Sequence, residues 1–246
     1  MPNICLTIAY KGTNYAGWQR QKNAKTIQGE IEKVLNKISG EKTKLIASGR
    51  TDSGVHAKAQ VANFYTESKI STQILQRALN AKLPKDISII KIKKVSKEFH
   101  SRFCTKSKIY RYAILNGTVK DPFLHPYYHK FSFKLNVPLM KREAACLLGK
   151  HDFKSFQAKA SFYEIKSTIR TIKKINIKKE KNFICTYIEA NGFLYNMVRN
   201  IIGTLIEIGR GYLPPGSMKK ILDSRDRGKA GPTAPAKGLT LEKIFY

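Results

Sequence analysis

The stretch Gly49-Arg50-Thr51-Asp52-Ser53-Gly54-Val55-His56-Ala57 decides how the rest of the chain is read. It lies between a short apolar piece, Leu45-Ile46-Ala47, and the strand-like run Gln60-Val61-Ala62-Asn63-Phe64. Its glycines permit positive φ angles and close approach of another molecule's backbone. Asp52 therefore occupies a tight turn between strands, next to the permanent cation Arg50 and near His56. An Asp-Ser-Gly turn is also ordinary hairpin chemistry, and spacing alone does not choose between the two readings. Arg50 is the residue that a hairpin does not need; with Asp52 it looks like a pair of working groups.

Around this loop the periodicity is regular. Residues 4–10 read as a buried first strand. Thr26 is a helix N-cap ahead of Ile27, Ile31, Val34 and Ile38 at helical spacing, with Gly40 closing the pattern. Strands are expected at 43–48 and 58–66, on either side of the loop. Ser71 opens a second helix with Ile74, Leu75, Ala78, Leu79 and Leu83 on one side; Pro84 stops it, and 87–95 alternates as a strand. Strand, helix, strand, strand, helix, strand is the order of a ferredoxin-like half. After 96–104 the pattern restarts. This places a boundary near 105, with an N-terminal α/β domain over 1–104 and a C-terminal α/β domain over 105–246.

In the second domain, 108–115 alternates as a strand, with Tyr110, Tyr112 and Ile114 on one face. The span 117–136 reads as a long irregular connection. It holds His125 and His129, whose spacing suits a metal on a helix, but Pro126 between them argues against one. Pro138 starts a helix that Gly149 closes, and the Lys-rich 154–166 reads as a surface loop with an RNA-facing side. An antiparallel pair follows at 168–178 and 182–190. A helix over 193–208 turns Leu194, Val198, Ile201, Leu205 and Ile208 inward and leaves Arg199 at its flank. A short helix covers 216–223, 225–238 is a polar Gly- and Pro-rich loop, and 239–245 is a final strand.

Composition narrows the function classes. Of 246 residues 42% are apolar and 10% aromatic, enough for a core and inconsistent with disorder. The net charge of +29 comes from 46 Lys and Arg against 17 Asp and Glu, and it calls for a polyanionic partner, nucleic acid first. The loop 10–21 interleaves Tyr10, Tyr15 and Trp18 with Lys11 and Arg20, which suits RNA: rings stack on unpaired bases and cations take phosphates. It also reads as a core-capping loop with Trp18 buried. Cysteines 5, 104, 146 and 185 form no Cys-x-x-Cys pair, so neither a zinc site nor a disulfide framework is expected, and Cys185 reads as a buried free thiol. No leader and no membrane span is visible, so the expected location is the cytoplasm.

The chemistry converges on one carboxylate. The 17 acids include no pair with hydrolase spacing, and neither a Gly-x-Ser-x-Gly elbow nor a Gly-Lys-Ser/Thr phosphate loop occurs. A lone Asp beside arginines acts as a nucleophile or a base, and Arg keeps it ionised. No metal and no cofactor is called for. A basic RNA-binding protein without catalysis remains an alternative from these residues alone. A DNA-binding regulator fits the charge but lacks a helix-turn-helix pattern.

Arg50-Thr51-Asp52-Ser53-Gly54-Val55-His56-Ala57 resembles the catalytic loop of the tRNA pseudouridine synthase A family, with Ser53 where that motif has Ala. The resemblance continues through Gly17-Trp18-Gln19-Arg20-Gln21, Lys108-Ile109-Tyr110-Arg111-Tyr112, His151-Asp152-Phe153, Met197-Val198-Arg199-Asn200 and Thr233-to-Leu239. These segments come in family order over nearly the whole chain. The fold it implies is α+β, two ferredoxin-like α/β halves joined through a largely antiparallel sheet with a central RNA-binding cleft. The reaction it implies breaks the N-glycosidic bond of a uridine, turns the bound uracil and rejoins it to the sugar through carbon 5. Asp52 would be the essential catalytic residue. Tyr110 would stack on the base and serve later proton transfer, and Arg199 would pair with Asp52. Arg50 would support base flipping, with Gln19 and Arg20 contacting RNA and Leu239 lining the uracil pocket. The substrate implied is the tRNA anticodon stem-loop at uridines 38, 39 and 40, and the assembly a homodimer; a synthase acting on other RNA is the nearest alternative.

Overall fold

The structure is a computed structural model that describes residues 1–159 and 167–246; of the Lys-rich loop expected over 154–166, residues 160–166 lie outside the described residues. In chain order the elements are β1 (Asn3–Tyr10), α1 (Ile27–Ser39), β2 (Ile46–Ala47), β3 (His56–Tyr65), α2 (Thr72–Lys82), β4 (Ile87–Val95), β5 (Ser107–Asn116) and β6 (His129–Phe131). Then come α3 (Val137–Ala144), β7 (Gly149–Asp152), β8 (Ile169–Glu180), β9 (Phe183–Ala190), α4 (Met197–Gly209), α5 (Ser217–Ser224) and β10 (Leu239–Phe245). They divide into two compact units, Met1–Lys106 with Thr240–Tyr246, and Ser107–Leu239. The expected division put everything from 105 onward in one half.

In the first unit β1 lies between β4 and β3, antiparallel to both, and the other edge of β3 takes β2 antiparallel and β10 parallel. The βαββαβ order and this strand arrangement are those of a ferredoxin-like unit. Thr26 caps α1 by accepting from the Gly29 amide at 3.2 Å, and Gly40 ends it at φ 73°. Ile27, Ile31 and Leu35 share one face of α1, and all three are buried, as are Leu6, Ile8, Ala62 and Phe64 of the sheet. Each large apolar side chain so buried stabilises by roughly 1.5–3 kcal/mol.

Two expectations here change. The strand expected at 43–48 is only two residues long, because the amides of Thr43 and Leu45 are taken by Asn36 Oδ1 and Glu32 Oε1 of α1 rather than by a neighbouring strand. In α2 the stripe is Leu75, Leu79 and the following Leu83, while Ile74 lies off it and is exposed.

In the second unit the strand order is β5-β9-β8-β7, antiparallel throughout, with β6 added parallel to β5. Tyr110, Tyr112 and Ile114 of β5 stand opposite Ile188, Thr186 and Ile184 of β9, and all six are buried. α4 is buried on nearly every side, Arg199 being its one half-buried position. It begins at Met197 rather than 193, because the Met197 amide closes a turn on Leu194 O and Asn196 takes a left-handed φ of 58°. The span 117–136 is less irregular than expected, since β6 lies in it. Phe153 and Phe156 are fully buried and Ser155 Oγ donates to Ile221 O, so 153–156 is core rather than surface loop. Cys185 is half-buried, on the face of β9 that alternation turns away from Ile184 and Thr186; the buried cysteine is Cys5, and all four are free.

Candidate active site

The Asp52 loop is held almost entirely through backbone. The Trp18 amide donates to Thr51 O (3.0 Å), the Val55 amide to Asp52 O (3.1 Å) and the Gly54 amide to Tyr15 O (3.4 Å). The same 15–18 segment is fixed from its other side, where the Ile27 and Gln28 amides at the start of α1 donate to Gly17 O and Trp18 O. Gly17 is required at this crossing: its φ is +89°, and a Cβ there would lie 2.6 Å from Thr51 O. Gly12 is equally constrained, with a Cβ falling 2.0 Å from Val55 O. Two bonds from side chains complete the clamp. Tyr10 and Thr51 hydroxyls bond at 2.7 Å, and His56 Nδ1 accepts the Gly12 amide at 3.1 Å. Ser53, the departure from the family motif, adds a bond from its Oγ to Tyr15 O.

Asp52 is half-buried at the tip of this clamp, where none of those bonds uses its carboxylate. Arg50 is exposed; burial of its guanidinium, then the nearby Arg102, lower its pKa from the usual arginine value. Gln19 is half-buried and Arg20 exposed, the latter 3.7 Å from the Glu32 carboxylate of α1. Trp18 is buried to 1% exposure against Tyr10, with ring centroids 6.0 Å apart, so of the two readings of this loop the core-capping one describes Trp18. His56, which the sequence left without a role, is a buried acceptor that anchors the loop.

Within the second unit, Tyr110 is buried with its ring edge-on to Phe193 at 5.1 Å. Arg199 is oriented by its surroundings: Nε donates to Ala234 O (2.7 Å), one terminal nitrogen donates to Asn196 Oδ1 (2.9 Å), and its own carbonyl accepts the Ala234 amide (3.1 Å). Leu239, buried, follows the turn Ala236–Gly238, and Tyr112 OH donates to Pro235 O. Burial raises the Tyr112 pKa and Arg199 partly offsets it, so this phenol stays protonated.

Sequence reasoning missed Arg227. It lies in the segment read as a polar loop, yet its guanidinium donates to Ala230 O, Gly231 O, Asn200 Oδ1 and Thr233 Oγ1. Asn200, Thr204 and Gly203 of α4 receive that segment: Thr204 Oγ1 accepts the Gly231 amide, and a Cβ on Gly203 would meet Pro232 O at 1.7 Å. No periodicity marks such a residue, since its partners lie in a loop and on the side of a buried helix. Among the described residues no group of three or more His, Cys, Asp or Glu could hold a metal ion, and no helix is long and apolar enough to cross a membrane.

A ferredoxin-like unit that carries an aspartate and an arginine on a backbone-pinned loop, in a chain of charge +29, suits a protein that works on a polyanion such as RNA. The family described as tRNA pseudouridine synthase matches residues 6–104 and 144–246. Proteins named tRNA pseudouridine synthase A from Clostridium acetobutylicum and Clostridium kluyveri are 46% and 48% identical to this chain, over 100% of both sequences in each case. A protein from Thermoanaerobacter sp. with the same name is 48% identical over the same full span. The chain belongs to the tRNA pseudouridine synthase A family, isomerases that make pseudouridine in tRNA. A solved Cbf5-Nop10-Gar1 complex overlaps 97% of this chain and 58% of its own at 14% identity and a TM-score of 0.36.

Proposed function

We propose that this chain isomerises uridine to pseudouridine in the tRNA anticodon stem-loop, at positions 38, 39 and 40, with Asp52 as the essential catalytic residue. The observation that carries this reading is the clamp itself. A loop pinned by backbone bonds on both sides fixes Asp52, half-buried, at its tip. Pre-organised placement of a reacting group is what catalysis asks of a scaffold.

In this reading Asp52 serves the step that breaks the glycosidic bond. The uracil turns while bound and re-attaches through carbon 5, and the carbon-5 hydrogen leaves as a proton. Tyr110 stacks on the base and assists that proton transfer, and Arg199 favours the ionised carboxylate. Arg50 fills the space vacated by the extruded nucleotide, whose unstacking costs a few kcal/mol. Gln19 and Arg20 contact RNA, and Leu239 lines the uracil pocket. The enzyme works in the cytoplasm as a homodimer, which doubles the positive field offered to tRNA.

The test is tritium release from carbon-5-labelled uridine in unmodified tRNA, for wild type and Asp52→Asn side by side. Release by wild type, with loss of at least about a thousandfold in the variant and tRNA binding retained, is expected. Equal release by both would remove Asp52 from the mechanism, and tight binding without release by either would leave a binding protein.

A further inference from the structure

The connection after β4 is more elaborately built than a linker needs to be. Asn3 Nδ2 donates to Ser96 O and Phe99 O, and Asn63 Oδ1 accepts both the amide and the hydroxyl of Ser101. Thr105 Oγ1 donates to Ser101 O, as does Tyr246 OH, while His100 Nδ1 accepts the amides of Arg102 and Phe103. Six side chains therefore fix the segment 96–105, with a tight knuckle over 100–105.

What this knuckle displays is cationic and aromatic. Phe103 is 76% exposed, with one contact to the His100 ring at 4.3 Å and 30°, and the Arg102 guanidinium lies 5.7 Å from its centroid. A rigidly held exposed aromatic beside a guanidinium has little to do with packing and matches the stacking platforms of single-stranded nucleic-acid sites. The knuckle also adjoins the catalytic loop. Tyr246 OH donates to Ser101 O, and Asn63, which receives Ser101, stands opposite Ile46 of β2. Hydrogen bonding to its own amide, then to Ser96, lowers the pKa of Glu98, the one acid of the segment.

We propose that the Arg102–Phe103 knuckle is a tRNA contact of the first unit, in which Arg102 takes a backbone phosphate and an unpaired base stacks on Phe103. This rests on the reading of the chain as a tRNA-modifying enzyme and names a contact that the motif resemblance does not assign. The phosphate gives affinity without sequence information, and the ring accepts any base.

The test is equilibrium binding of fluorescently labelled unmodified tRNA between about 50 and 200 mM salt, with tritium release followed on the same preparations. Arg102→Ala is expected to lower the slope of log affinity against log salt by about one. Phe103→Ala should weaken binding about tenfold, Phe103→Trp should restore it, and Phe103→Leu should not. Both positions are exposed, and unchanged melting curves verify the fold. Wild-type affinity and slope in Arg102→Ala and Phe103→Ala would overturn the proposal, as would a Leu variant equal to Phe. If wild type releases no tritium while the binding losses appear, the enzymatic reading fails and the contact stands. Release by wild type with normal binding by the variants sinks the contact alone.

Discussion

The Asp52 loop and the 226–238 segment solve the same problem by opposite means. Each is an irregular stretch carried against regular structure in its own unit. The first is held by main-chain bonds and by glycines that let two backbones meet, with Tyr10, Thr51 and His56 as the few side-chain fasteners. The second is held by side chains: Arg227 to two carbonyls and two side chains, Asn200 and Thr204 from α4, and Arg199 to Ala234. Backbone clamping fixes the tip of the loop with little dependence on which side chains surround it. Side-chain clamping makes orientation of a residue such as Arg199 depend on its neighbours' identity.

That contrast makes unequal demands on substitution. In the first region the severest change is the smallest one. Gly17→Ala puts a methyl 2.6 Å from Thr51 O at a φ of +89°, so we expect destabilisation of roughly 2–4 kcal/mol in urea unfolding and a matching loss of tritium release. A variant as stable and active as wild type would show that the crossing is loose. In the second region the telling change keeps the charge. Arg227→Lys retains a cation but cannot reproduce a planar fork with four acceptors, and we expect a loss of about 2 kcal/mol. Full stability in Arg227→Lys would mean that charge rather than geometry holds the segment. The finest probe is Tyr10→Phe, which removes one fastener and strands the buried Thr51 hydroxyl. The expected cost is about 1 kcal/mol with most activity kept, because the main-chain bonds remain. A larger effect than Arg227→Lys would reverse the comparison.

Much of the first unit is legible along the chain. Thr26, Gly40, Ser71 and Pro84 bracket two helices by local chemistry, and β1, β3 and β4 follow from apolar patterning. The strand expected over 43–48 shortens to β2 because the amides ahead of it are captured by Asn36 and Glu32 of α1, seven and thirteen positions earlier in the chain. Likewise Phe153 and Phe156 sit in a lysine-rich stretch whose average polarity hides two core rings. Trp18 looks equally able to stack on RNA or to fill the core until the ring of Tyr10 is placed beside it.

For the site, residue types and order were enough to single out Asp52, Arg50, Tyr110 and Arg199, since motif identity is a property of neighbours in sequence. Sequence by itself also determined the charge that calls for an anionic partner and the two alternating hydrophobic patterns from which the sheets form. Only the tertiary structure decided that His56 is an anchor, that Gly12 and Gly17 admit no side chain, that Arg227 braces a loop and that Asn63 pins Ser101 ahead of Phe103. The physical reason is range. Caps, turns and periodicity arise between residues a few positions apart, whereas a clamp or a braced knuckle is made by segments that meet only when the chain has folded.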